Sequence, residues 1–132
     1  MKNALKSLNP EESALMLNAP ALVTILVAAA DNNIDKKEKE WAIKLTKYRK
    51  FSSNPVLHDY YDEVSQEFEL TLNEFISNLP SGHFQRNQFI SSELEKLNSI
   101  LPKLNRNFAE KFYASLLSFA KQIAESSGGV LR

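Results

Sequence analysis

The stretch that most restricts how this chain can fold is Ala21 to Ala30, in which Thr24 alone is polar, closed by Pro20 on one side and Asp31 on the other. A helix that is apolar all round has no face to offer water, so it belongs inside a core with other elements around it. A bilayer span takes roughly 20 apolar residues, and a run bounded by a proline and an aspartate is too short for one. The chain is therefore expected to fold around a buried hub helix, Pro20 to Asp31. Three glycines and five prolines in 132 residues, with Leu, Ala, Glu, Lys and Ser prominent, predict an all-α class. A chain of this length forms one core without disulfide or metal staples, so residues 1–132 read as a single domain. With no cysteine there is neither a disulfide framework nor a thiolate metal site.

After the hub comes an elbow, Asp31-Asn32-Asn33-Ile34-Asp35. Asn32 and Asn33 tolerate the left-handed conformation in which many helices end. Asp35 then caps a new helix, and Glu38, three residues on, completes a capping box. Trp41, Ala42, Leu45 and Tyr48 form the expected buried stripe of this charged helix.

The remaining punctuation is mostly helix starts. Asn9-Pro10-Glu11-Glu12 opens a short helix that should end before Pro20, because a proline lacks the N–H that an interior position needs. Asn54-Pro55 opens a long amphipathic helix, or two with a bend, through Leu57, Tyr60, Tyr61, Val64, Phe68, Leu72, Phe75, Ile76 and Leu79. His83 to Leu101 supplies another, with Ile90, Leu94 and Leu97 on one side, closed by Pro102. Asn107 with Glu110 predicts a capping box for the last helix, whose apolar face is Phe108, Phe112, Leu116, Phe119 and Ile123. The expected architecture is a compact bundle of about six helices.

The pattern Asp31-x-x-Ile34-x-x-x-Glu38, directly after an alanine-rich apolar helix, resembles the TerB-like family, named for tellurite resistance. Asn32 stands where that family usually has glycine. Phe119 to Val130 resembles a second, glycine-rich copy of the motif whose closing helix is missing, so the chain looks like a TerB-like domain lacking its last helix or helices. The resemblance implies a bacterial stress-response module that binds protein partners, in some cases at a membrane-associated complex. It further implies that Phe119, Ile123 and Val130 are left partly uncovered, a surface for self-association or for a partner helix.

Asp31, Asp35 and Glu38 are hard oxygen donors of the kind that hold Ca²⁺ or Mg²⁺. Capping alone accounts for Asp35 and Glu38, and it leaves Asp31 at the negative end of the hub dipole, where a lysine or a cation would compensate it. Both accounts stand. An EF-hand does not fit, since Lys36 replaces the turn glycine and Ala42 the twelfth-position glutamate.

No nucleophile elbow, phosphate-cradling glycine loop or paired histidine motif is present, and His58 and His83 are far apart, so the chain is expected to be non-catalytic. Formal net charge is zero, which argues against a nucleic-acid binder. The charges are nevertheless segregated. Lys36, Lys37, Lys39, Lys44, Lys47, Arg49 and Lys50 crowd one helix, whereas Asp59, Asp62, Glu63, Glu67, Glu69 and Glu74 follow with no cation among them. The expectation is that these cations offset the helix dipole and face the acids across a helix pair. Met1 to Lys6 lacks the apolar core of a signal peptide, which predicts a cytoplasmic protein.

Overall fold

The computed structural model describes residues 2–28 and 36–126, and among them every element is helical. A single turn, α1 (Lys2–Leu5), precedes α2 (Pro10–Ala28). Then come α3 (Lys36–Ser52), a 3₁₀ turn at Pro55–Leu57, and α4 (His58–Asn78). The chain continues through α5 (His83–Glu95), the short α6 (Leu97–Ile100), a 3₁₀ turn at Leu101–Lys103 and α7 (Arg106–Ser126). Five of these helices have 13 residues or more.

The expected count of six changes because Pro20 does not break the chain. The helix starts at Asn9 as expected, and Glu12 makes the start a capping box: the Asn9 side chain accepts from the Glu12 amide at 2.8 Å, and the Glu12 carboxylate accepts from the Asn9 amide at 3.1 Å. From there α2 runs unbroken past Pro20 to Ala28. A proline inside a helix leaves the carbonyl four residues earlier without its donor, and here that carbonyl belongs to Met16. The hydroxyl of Tyr60, on α4, donates to it at 2.6 Å in the buried interior. One turn on, Thr24 Oγ1 donates back to the Pro20 carbonyl at 2.8 Å. The break that local rules demand is repaired from a distant helix.

Continuity gives α2 19 residues, long and apolar enough to cross a bilayer by those criteria alone. It lies instead among α4, α5 and α7, and every residue from Ala19 to Ile25 is buried. The hub is therefore a core helix, and Ile25 and Leu22 are nearly inaccessible. Around it Tyr60 stands edge-on to Tyr61 and Phe112, at centroid distances of 5.1 and 5.3 Å, while Phe68 meets Phe119 at 6.4 Å. Such edge-to-face pairs add about 0.5–1.5 kcal/mol each beyond the area they bury.

The other starts are read correctly or shifted slightly. Asn54 caps the 3₁₀ turn, accepting from the Val56 amide at 3.1 Å. For α7 the cap is Asn105 rather than Asn107: its side chain accepts from the Phe108 amide at 3.1 Å. Asn107 already lies within that helix, and Glu110 pairs with Arg106 at 3.2 Å. Pro102 sits in the 3₁₀ turn, and α5 has already ended at Glu95. Phe119 and Ile123 are wholly buried within this one chain, so the uncovered patch expected at those two residues does not exist, and Val130 lies outside the described residues. The N-terminal turn is tied down by Ser7, which donates to the Lys103 carbonyl at 3.0 Å. Beside it the Glu12 carboxyl is held below its usual range by the Lys103 ammonium and then by the Asn9 amide.

Candidate binding site between α3 and α7

The expected stripe of α3 is rotated. Trp41 and Tyr48 are exposed, and the buried residues are Ala42, Leu45, Thr46 and Arg49. These fall at i, i+3, i+4 and i+7, a regular helical face, and its fourth member is a guanidinium. The sequence expectation placed Arg49 among surface cations. The signal that identifies it is its register with Ala42 and Leu45.

Arg49 is only 7% exposed and reaches from α3 into the seam with α4 and α7. One terminal nitrogen, Nη1, donates to the Tyr61 hydroxyl at 3.2 Å, and to the Ser115 hydroxyl and carbonyl at 2.7 and 3.1 Å. The other, Nη2, donates to Ser118 Oγ at 3.0 Å and to Gln122 Oε1 at 2.5 Å. Tyr61 and Ser115 share a further hydroxyl–hydroxyl bond of 2.6 Å. The guanidinium also lies 5.6 Å from the centroid of the Tyr61 ring and 5.4 Å from that of Phe119, distances at which a ring quadrupole attracts a cation.

Every one of these acceptors is neutral. Arginine keeps its proton in proteins, so a full positive charge lies in the seam, and no ion pair among the described residues includes it. Beside it opens a cavity of about 480 Å³ between α3, α7 and the Pro55–Leu57 turn. Its described lining contains a second cation, Lys111, and the hydroxyls of Ser52, Ser53, Ser115 and Ser118, with no aspartate or glutamate.

On the solvent side of α3 runs a row of exposed residues, Lys37, Trp41, Lys44, Tyr48 and Phe51. Their alternating spacing of four and three keeps them on one stripe of the helix, and Tyr48 also lines the Arg49 cavity. The opposite edge of α3 meets α4. There Lys50 lies 3.7 Å from Asp62, and Lys39 donates to Asn73 at 2.8 Å. Among the described residues the expected pairing of basic and acidic helices includes the Lys50–Asp62 ion pair and the neutral Lys39–Asn73 contact. Asp59, Glu63 and Glu67 remain an exposed acidic shelf on α4.

Of the proposed metal ligands, Asp31 and Asp35 lie outside the described residues. Glu38 is half-buried in the first turn of α3. His58 Nε2 is 2.8 Å from the Ser53 carbonyl, and His83 is exposed beside Arg86 and Asn87. No family model matches this chain, and no curated protein or solved structure is significantly similar to it.

Proposed function

We propose that this protein is a non-catalytic interaction module of the TerB-like kind, acting in the cytoplasm within a bacterial stress response, and that it binds an acidic, amphipathic helix of a partner protein along α3. The observation that carries the proposal is the row Lys37, Trp41, Lys44, Tyr48 and Phe51. Trp41 is 40%, Tyr48 65% and Phe51 75% exposed, and large aromatic side chains at a surface are the usual anchors of a protein interface. Their heptad spacing matches what a second helix needs to pack along this one. The lysines between them select the partner's charge, since complementary charge steers encounter and rejects wrong partners.

Trp41 is the only tryptophan in the chain, so its fluorescence reports on this row directly. Titration with a leucine–glutamate amphipathic peptide is expected to shift its emission to the blue and to saturate. Tyr48→Ala should weaken binding about tenfold or more, and Lys44→Glu should weaken it several-fold. A matching leucine–lysine peptide and a short DNA duplex should leave the emission unchanged. An unresponsive Trp41 with the acidic peptide, or equal binding of the DNA, overturns the proposal.

A further inference from the structure

We infer that the cavity beside Arg49 is a binding site for a small organic carboxylate, bordering the partner surface on the outer face of α3 and sharing Tyr48 with it. Moving an ion out of water is costly unless a counter-charge accompanies it, and neutral acceptors with two ring faces supply hydrogen bonds and a quadrupole but no negative charge. The guanidinium therefore sits in a site that gives both its terminal nitrogens acceptors but gives its charge no counter-charge.

The cavity supplies the rest. Its volume falls in the range of small-molecule sites, which are commonly walled by apolar groups around a few placed polar ones. Here Leu45, Tyr48, Leu57 and Ala114 form the apolar wall, and Lys111 with the serine hydroxyls supplies further donors. That combination suits an anion with an apolar body better than a bare inorganic ion. The Oε1 atom of Gln122 occupies the position on Nη2 that a ligand carboxylate oxygen would take. Gln122 is itself only half-buried and lines the cavity, so the flexible amide is the group a ligand displaces. A planar guanidinium fork then meets a planar carboxylate, the pairing in which arginine is strongest.

The test uses the whole chain and Gln122→Glu, a near-isosteric change that sets a carboxylate permanently on Arg49. Nitrogen–proton spectra of the Arg49 side chain and of the Ser118 and Gln122 amides are followed with sodium benzoate, with inorganic phosphate, and with sodium chloride at matched ionic strength. Benzoate is expected to give saturable shifts at these groups in the wild type, phosphate weaker ones and chloride none. Gln122→Glu should melt at a higher temperature than wild type at neutral pH and bind benzoate about tenfold more weakly or worse. Four results overturn the inference: no benzoate shifts, shifts that chloride reproduces, phosphate binding as tightly as benzoate, or a Gln122→Glu protein that binds benzoate undiminished. A lowered melting temperature in Gln122→Glu also overturns it, because the charge at Arg49 would then lack nothing.

Discussion

Pro20 and Arg49 are both residues that elementary rules keep out of a helical core, and the structure treats them differently. The offence of Pro20 is neutral. It orphans one carbonyl, and one hydroxyl from α4 answers it at 2.6 Å. Nothing is left over, and the site is closed. The offence of Arg49 has two parts, donors and charge. Tyr61, Ser115, Ser118 and Gln122 answer the donors on the two terminal nitrogens, but none of them answers the charge. A buried polar defect can be cancelled by geometry alone, whereas a buried charge needs an opposite charge, and that difference separates a structural repair from a site with room for a ligand.

The same cation placed where no acceptors await it should be far less tolerable. Ile25→Arg, in the fully buried stretch of α2, is expected to cost more than about 4 kcal/mol and to leave no cooperative thermal transition. A folded, cooperative Ile25→Arg protein would show that this core accommodates a cation anywhere, and Arg49 would lose its distinction.

Tyr60→Phe strands the Met16 carbonyl and should cost about 1–3 kcal/mol, the penalty for a buried unsatisfied group. In a Pro20→Ala background the restored N–H can take that carbonyl, so the same Tyr60→Phe change should cost well under about 1 kcal/mol. Denaturant melts of the four proteins measure the coupling. Strict additivity would mean that the Tyr60 hydroxyl is not answering the proline.

The smallest effect is one of pH. Burial, and then the neighbouring Tyr61, push the Tyr60 hydroxyl well above its ordinary value of 10.0. The folded state thus holds this proton more tightly than the unfolded chain does. Its stabilisation is complete below about pH 10 and is lost as pH rises from there towards the folded-state value. Melting temperature should fall above pH 10, and fall less steeply in Tyr60→Phe. The repaired defect thus carries an alkaline signature of its own. Equal slopes in the two proteins would remove Tyr60 as its source.

Much of the fold is legible in the residues because it depends on local chemistry. The cap at Asn9, the cap at Asn54, the apolar face of α4 and the burial of the Ala21–Ile25 run follow from spacing, side-chain reach and the scarcity of polar groups. The shifted cap at Asn105 shows the limit of such signals: two asparagines stand two residues apart, and the one that accepts from the Phe108 amide is Asn105. What only the tertiary structure decides is where a local rule is overruled by a partner far away in sequence. Tyr60 lies 44 residues from Met16, and Arg49 lies 66 from Ser115. No pattern within one helix announces such a partner. The sequence by itself determined an all-helical chain with a buried hub, because apolar periodicity and capping are properties of neighbouring residues. The uninterrupted α2 and the inward turn of Arg49 were decided by packing, because a missing donor and a buried cation are tolerable only once other helices bring acceptors and hydroxyls against them.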